Sequence, residues 1–159
     1  MEDFRIFYEK QRGKLFSYLL RISGDYYLAM DILQESFTRY YEKYAGNTRN
    51  VSLLYTIARN DFLDHKRKAA KHVEFDQSHE PRSRDISETL EVKQEYARVI
   101  SAMKQLREDE REILALVLSG DFNYKQIAGM VDTTEGNVKV KVHRARTKLR
   151  KILQAGVSK

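Results

Sequence analysis

The sequence predicts an all-α protein made of two small helical domains joined by a flexible linker. One Pro and seven Gly occur among 159 residues, which favours long helices over sheets with many tight turns. Hydrophobic residues make up 42% of the chain and recur at helical spacing on both sides of a polar central segment. We therefore expect domains at residues 1–71 and 89–159, with residues 72–88 as the linker.

The composition excludes several classes of protein. Cys is absent, which excludes a disulfide scaffold, a thiolate metal site and a cysteine nucleophile. No apolar run approaches the roughly 18 residues of a membrane span. The acidic start at residues 1–3 lacks the apolar core of a signal peptide. The sequence thus predicts a cytoplasmic protein without membrane insertion.

Three helices are predicted in the first domain. Apolar spacing places the first at residues 2–22, and Ser23-Gly24 ends it. The second opens at Asp25 and runs to about residue 44. Its predicted core stripe comprises Met30, Leu33, Phe37, Tyr40, Tyr41 and Tyr44. Its opposite face comprises Asp31, Gln34, Glu35, Thr38 and Glu42. Periodicity alone favours ordinary solvent exposure of this acidic face over a docking surface for a basic partner.

The third helix follows a polar loop at residues 45–50 and runs from about residue 52 to 70. Its predicted inward side chains are Leu53, Leu54, Ile57, Ala58 and Phe62. Its outward side chains are Thr56, Arg59, Asn60, Lys66 and Arg67. Amides and bases beside several tyrosines are typical of single-stranded DNA sites, where bases stack on aromatic rings and phosphates meet cations. The alternative interpretation places these tyrosines in the core.

The second domain shows the helix-turn-helix pattern. One helix carries the stripe Val92, Tyr96, Val99, Met103 and Leu106. Another, at about residues 109–119, ends at Gly120. A short helix at 123–131, a turn at 132–134 and a long basic helix from Glu135 then follow. A short helix, a turn of three or four residues and a basic second helix are typical of DNA-binding domains.

The last helix separates an apolar face from a basic one. Its apolar face comprises Val138, Val142, Ala145, Leu149 and Ile152. Residues 137–151 hold seven Lys and Arg and no acid, which predicts a polyanion site over a merely solvated helix face. Val140 points away from the apolar face, where it would contact a thymine methyl group; the alternative is a scattered surface valine.

Catalytic and metal sites are not predicted. The first domain has no Gly-rich nucleotide loop and no acidic cluster with metal-ligand spacing, so neither an enzyme nor a cofactor is expected. His65, His72 and His79 are seven residues apart, but they cross a helix end into the linker. This arrangement does not bring three ligands together, so no metal site is predicted from it.

Short motifs in both halves resemble one family. Residues 31–37 and 55–60 resemble conserved region 2 of bacterial RNA polymerase sigma factors. Residues 124–128, 135–139 and 142–150 resemble region 4. A chain with only these two regions and a short linker resembles the extracytoplasmic-function (ECF) group of the sigma-70 family. The ordered set of motifs covers nearly the whole chain.

The resemblance implies two kinds of contact in the first domain. The polar face of the second helix would bind the β′ clamp of core RNA polymerase through Asp31, Gln34, Glu35 and Thr38. The loop and third helix would capture a base flipped from the −10 promoter element and hold its phosphates. The residues implied are Tyr44, Gly46, Asn47, Thr48, Arg49, Asn50, Asn60, Lys66 and Arg67.

The resemblance also implies −35 recognition by the last helix. The residues implied are Asn137, Lys139, Val140, Lys141, His143, Arg144 and Arg146. Val140 and Lys141 stand where the family pattern has Ser and Arg, so the −35 sequence is not inherited from relatives. In the first domain, Leu53 stands where the family pattern has Trp, which changes the stacking expected near the melted strand. Further implied partners are the polymerase β flap and an anti-sigma factor, which could hold the protein at the membrane.

Two unlike DNA-contacting halves predict a monomer on an asymmetric promoter rather than a dimeric repressor on a palindrome. The sequence therefore predicts an alternative sigma factor that binds core polymerase, recognises both promoter elements and promotes melting. The rival interpretations are a polymerase-associated or stand-alone helix-turn-helix regulator, and a recombinase with a similar DNA-binding end.

Overall fold

A computed structural model describes residues 2–44, 49–72 and 92–157. These ranges form seven α-helices and no strand, which confirms the all-α prediction. The helices are α1 (Glu2–Ser23), α2 (Tyr26–Tyr44), α3 (Val51–His72), α4 (Val92–Met103), α5 (Glu108–Ser119), α6 (Tyr124–Met130) and α7 (Glu135–Val157). Most of the predicted linker, and Gly46, Asn47 and Thr48, lie outside the described residues.

Local signals explain where α1 ends and where α2 and α3 begin. Gly24 adopts φ +65° between α1 and α2, a conformation that other residues rarely take. The Asp25 carboxylate accepts a hydrogen bond from the Leu28 N–H at 3.2 Å and caps α2. The Asn50 side chain accepts one from the Leu53 N–H at 3.2 Å and caps α3 in the same way.

The helix-turn-helix is bounded by equally local signals. Gly120 adopts φ 80° at the end of α5. Asn123 and Gln126 form a reciprocal capping box at the start of α6. The Thr134 hydroxyl accepts a hydrogen bond from the Asn137 N–H at 3.1 Å and caps α7. Each of these residue types satisfies backbone groups that a helix end leaves without partners.

The core of the first domain lies between α1, α2 and α3. Its largest fully buried side chains are Leu15, Tyr18, Leu19, Ile32, Tyr40, Leu54 and Tyr55. The prediction that Tyr41 belongs to this core is wrong: Tyr41 is 47% exposed, although its ring still contacts Phe4 edge-on at 4.9 Å. Tyr55 and Asp61 are buried, and the predicted inward stripe of the third helix omitted both.

The core of the second domain lies between α5, α6 and α7. Val138, Val142 and Ala145 are buried on α7, which confirms its predicted apolar face. On α5, all four consecutive residues from 113 to 116 are buried. A surface helix buries one stripe, so a continuous buried run requires cover on two sides. Helix α5 is covered on two sides because it packs between α1 and α7.

The two domains pack against each other through α1 and α3 on one side and α5 and α6 on the other. The rings of Tyr55 and Phe122 meet edge-to-face at 5.0 Å. Ion pairs join Arg59 to Glu112 and Lys66 to Glu108 around this contact. One hydrophobic core therefore continues across both domains.

Candidate polymerase and nucleic-acid interfaces

The polar face of α2 is accessible. Asp31, Gln34 and Thr38 are exposed, and Glu35 is half-buried. Behind them, Ile32, Leu33 and Phe37 are buried in the core. The four residues that the resemblance assigned to polymerase therefore share one solvent-facing strip along a firmly packed helix.

Glu35 differs from its neighbours because it also contacts other charged side chains. Arg39 donates a hydrogen bond to Glu35 Oε1 at 2.7 Å. The Nε2 atom of His65 lies 3.8 Å from Glu35 Oε2. A hydrogen bond with the Asp61 carboxyl lowers the pKa of Glu35, and the charges of Arg39 and His65 add to this effect. Part of the negative charge of this face is thus offset within the chain.

Asp61 lies behind Glu35 and is only 3% exposed. Its Oδ2 atom has no hydrogen-bond partner. Burial raises the pKa of Asp61 to about 6, and the facing Glu35 carboxyl contributes to this rise. Sequence periodicity placed no functional group here, because a lone Asp in an apolar stripe carries no recognisable motif.

The start of α3 holds the described part of the predicted −10 site. Tyr40 is buried, and its hydroxyl oxygen accepts a hydrogen bond from the Asn50 N–H at 3.0 Å. The Tyr44 ring lies 5.6 Å from that of Tyr40 and is half-buried. Arg49 and Asn50 are exposed beside it. Aromatic and polar groups therefore meet where a base could stack.

The remaining −10 residues lie further along α3 and differ in their surroundings. Asn60 is exposed. Arg67 is exposed and lies 3.4 Å from Asp64 in an ion pair on the same helix. Lys66 instead pairs with Glu108 of the other domain. Five of the nine predicted residues are thus exposed or half-buried: Tyr44, Arg49, Asn50, Asn60 and Arg67. Lys66 is also half-buried, but its ammonium group pairs with Glu108.

The basic face of α7 is open to solvent. Lys139, His143, Arg144 and Arg146 are exposed, and Val140 is 45% exposed at the same face. The buried side chains of α7 hold this face outward. Four cations or ionisable groups with one apolar side chain can contact phosphates and a thymine methyl together.

Two predicted −35 residues are tied to the domain itself. The Asn137 amide donates a hydrogen bond to Thr133 Oγ1 at 2.7 Å. Lys141 pairs with Asp109 at 2.8 Å and is only 23% exposed. This hydrogen bond with Lys141 lowers the pKa of Asp109. The side chains of Asn137 and Lys141 thus have partners within the domain and do not extend freely into solvent.

The acidic first turn of α5 is a further group of charged residues, for which periodicity and motifs predicted no role. Glu108, Asp109 and Glu110 pair respectively with Lys66, Lys141 and Lys148. Glu110 is buried and lies 2.9 Å from Lys148. Three successive acids at a helix start are typical of favourable helix-dipole interactions. The three acids are visible in the sequence, but the sequence does not show which lysines pair with them.

Comparison with known proteins identifies the two domains. The sigma-70 region 2 family model matches residues 7–72, and the sigma-70 region 4 model matches residues 96–149. The chain is 27% identical over 158 residues to the ECF RNA polymerase sigma factor SigM of Bacillus subtilis, covering 95% of each chain. The chain belongs to the ECF group of the sigma-70 family.

Other relatives of this ECF sigma factor agree with that assignment. It is 29% identical over 157 residues to the ECF sigma factor SigL of Mycobacterium tuberculosis, covering 94% of this chain and 88% of the relative. Its fold matches the sigma factor RpoE of Bartonella quintana, crystallised with the anti-sigma factor NepR, with a TM-score of 0.78 at 22% identity. That match covers 97% of this chain and 98% of the other.

Membrane association through a spanning helix finds no support in the described ranges. None of the helices there is both long and apolar enough to cross a bilayer. The family matches and the fold together make this chain an alternative sigma factor of two all-α domains. Region 2 corresponds to α1–α3, and region 4 begins within α4 and ends within α7.

Proposed function

We propose that this sigma factor binds core RNA polymerase through α2, recognises the −10 element with α3 and the −35 element with α7, and promotes promoter melting. The observation that carries the proposal is a pair of accessible surfaces of opposite chemistry. A polar, acidic strip lies on α2 and a basic strip lies on α7. Membership of the sigma-70 family supports it, and no catalytic step is involved.

The strip on α2 fits a basic partner surface such as that of the β′ clamp. Asp31 is exposed and Glu35 half-buried, while Gln34 and Thr38 add polar groups on the same side. Charge complementarity speeds encounter and excludes wrong partners. Because the helix is anchored by buried Ile32 and Leu33, the strip is presented without reorganisation.

The −10 contact would use unstacked bases. Tyr44 offers a ring, Asn50 and Asn60 offer amides, and Arg49 and Arg67 offer cations for phosphates. Gly46, Asn47 and Thr48 belong to the same proposed site. Binding a flipped base offsets the few kcal/mol that unstacking costs, so melting needs no ATP.

The −35 contact would be made in the duplex major groove. Val140, His143 and Arg144 would contact base edges, while Lys139 and Arg146 would hold phosphates. Asn137 and Lys141 belong to the same proposed surface, but they bind DNA only if they leave Thr133 and Asp109. Phosphate contacts make the affinity strongly dependent on salt.

The packing of the two domains fits the DNA-free protein. Lys66 pairs with Glu108, and Arg59 pairs with Glu112. DNA phosphates would compete with both carboxylates for the same cations. Region 4 therefore has to leave region 2 before α3 holds the −10 strand. An anti-sigma factor and the polymerase β flap are the further partners proposed, and each would favour either the packed or the separated arrangement of the two domains. We place the protein in the cytoplasm, as a monomer when it is free.

In-vitro transcription tests the proposal. Core bacterial polymerase is incubated with a pool of promoter fragments, with and without the full chain. We expect selective initiation at fragments that share −35 and −10 sequences. Core binding without initiation would favour a polymerase-associated regulator. Neither binding nor initiation would favour a stand-alone DNA-binding protein.

A charge reversal on α2 tests the polymerase contact. Asp31→Arg, alone or with Glu35→Arg, is expected to weaken core binding at least about tenfold, since like charges at an interface cost several kcal/mol. Glu9→Arg, an exposed site on α1, is the matched control, and circular dichroism checks the helix content. Unchanged affinity of the Asp31 variant would remove α2 from the interface.

A further inference from the structure

We propose that Glu35, Asp61 and His65 form a binding site for a divalent transition-metal ion between α2 and α3. Each residue offers one ligand atom, and the three atoms lie within 4.8 Å of one another. His65 Nε2 lies 3.8 Å from Glu35 Oε2 and 3.8 Å from Asp61 Oδ1. One ion at the centre of this triangle would reach all three.

The spacing of these atoms fits one small ion. Zinc binds imidazole nitrogen and carboxylate oxygen at roughly 2.0–2.2 Å, so two ligand atoms of one tetrahedral site lie about 3.4 Å apart. Asp61 and His65 are four residues apart on α3 and therefore share a helix face. Modest inward rotation of half-exposed His65 and Glu35 closes the remaining gap.

Asp61 supplies an independent reason to expect a ligand. It is 3% exposed and continues the buried stripe of Leu54 and Ala58, yet its Oδ2 atom has no hydrogen-bond partner. Its Oδ1 atom lies 3.8 Å from His65 and 4.0 Å from Arg39, so the carboxylate is only loosely paired on that side. Buried charges are normally paired closely or bound to metal. The Glu35 carboxyl facing it adds repulsion, which a cation between the two would remove.

Arg39 orients Glu35 but makes no hydrogen bond with Asp61. Its guanidinium donates to Glu35 Oε1 at 2.7 Å, which leaves Oε2 facing His65. It lies 4.0 Å from Asp61 Oδ1, beyond hydrogen-bond distance. Arg39 therefore acts as an outer partner that holds one ligand in place, as such groups do in known metal sites.

The donor set selects a class of ion. Magnesium and calcium prefer oxygen ligands alone, whereas one imidazole with two carboxylates is typical of zinc and its first-row neighbours. Glu35 and His65 are 39% and 38% exposed at their side chains, so an ion has a route from solvent and room for water ligands.

A metal here would act on the polymerase-binding strip, a consequence that rests on the proposed function. Glu35 belongs to the strip on α2 and to the metal site at once. A bound ion would hold Glu35 against α3 and offset its negative charge. Core polymerase should then bind the metal-loaded sigma factor more weakly than the metal-free one.

Titration of Zn²⁺ into the metal-free full chain tests the site directly. We expect one ion per chain by calorimetry, and a visible absorption band when Co²⁺ is used instead. Asp61→Asn and His65→Ala should each weaken Zn²⁺ binding by at least about tenfold. Asp64→Asn, an exposed carboxylate on the same helix, is the matched control and should leave the affinity unchanged.

Equal Zn²⁺ affinity in the Asp61, His65 and Asp64 variants would overturn the proposal, as would no binding by the parent chain. His65→Ala removes a half-exposed side chain, so its result does not depend on the stability of a buried position.

A second arm measures affinity for core polymerase with and without Zn²⁺. The parent chain should bind more weakly with Zn²⁺, and His65→Ala, which keeps Glu35, should not respond. An equal response of both would overturn the effect on polymerase binding. No polymerase binding in zinc-free buffer would contradict the proposed function, whereas the titration decides the metal site by itself.

Discussion

The two helices that carry the proposed DNA contacts, α3 and α7, differ in what their basic side chains touch. On α7, Lys139, Arg144 and Arg146 are exposed. On α3, Arg59 and Lys66 are paired with Glu112 and Glu108 of the other domain. The −35 surface is therefore open in this arrangement, while part of the −10 surface is occupied by carboxylates.

The same fold thus exposes the proposed −35 site while it pairs part of the basic surface of α3 with carboxylates of the other domain. Duplex recognition by α7 requires no separation of the domains. In the proposed −10 contact, phosphates of the single strand would compete with Glu108 of α5 for Lys66. The affinity of the proposed −10 site would then depend on the stability of the domain contact, in which Tyr55 and Phe122 form the aromatic centre.

The largest effect is expected at Tyr55, whose fully buried ring contacts both Tyr18 and Phe122. Tyr55→Ala should lower the free energy of unfolding by about 3–5 kcal/mol, because it leaves a large cavity in the shared core. Chemical denaturation measures the change. Tyr41→Ala, at a half-exposed ring, is the control, with an expected loss of about 1 kcal/mol. Similar losses in both would show that the core does not continue across the domains.

A smaller effect is expected at the open site. Arg144→Ala should weaken binding to a −35 duplex by roughly 1–3 kcal/mol and relax sequence preference at one position. Fluorescence anisotropy with matched and scrambled duplexes measures both quantities. Lys125→Ala, an exposed site on α6, is the control. An equal loss on scrambled DNA would make Arg144 a phosphate contact instead.

Removal of the two carboxylates that pair with α3 should increase DNA binding at the proposed −10 site. Glu108→Gln with Glu112→Gln should raise affinity for a single-stranded −10 oligonucleotide about two- to fivefold, because partly exposed ion pairs contribute up to about 1 kcal/mol each. The gain should shrink at high salt, which screens these charges. Glu9→Gln with Glu135→Gln, at two exposed sites away from α3, is the control because it removes the same two negative charges. A gain of the same size in the control would mean that α5 does not compete with DNA.

The smallest effect is expected at Lys141, which pairs with Asp109 rather than extending from α7. Lys141→Ala should lower the stability of the protein by less than about 1 kcal/mol, as partly exposed pairs do. Its effect on −35 affinity should be smaller than that of Arg144→Ala. A larger loss of affinity than at Arg144 would mean that Lys141 leaves Asp109 when DNA binds.

Helix positions and the faces of single helices follow from the sequence because their causes are local. Asp25, Gly120 and the Asn123–Gln126 pair satisfy backbone groups within a few residues, so these three helix boundaries could be placed closely. The stripe predicted for α4 extended to Leu106, whereas that helix ends at Met103, where the sequence has no such signal. Apolar periodicity likewise placed Val138 inside and Val140 outside. The motifs that indicated an ECF sigma factor are also contiguous stretches.

What covers each face was decided by tertiary structure. The buried run at residues 113–116 exists because α5 lies between α1 and α7. Lys66 and Lys141 are paired because acids from α5 reach them. The cluster of Glu35, Asp61 and His65 joins two helices and has no motif in either. Periodicity reports the direction of a side chain on its own helix, whereas its partner depends on how distant helices pack.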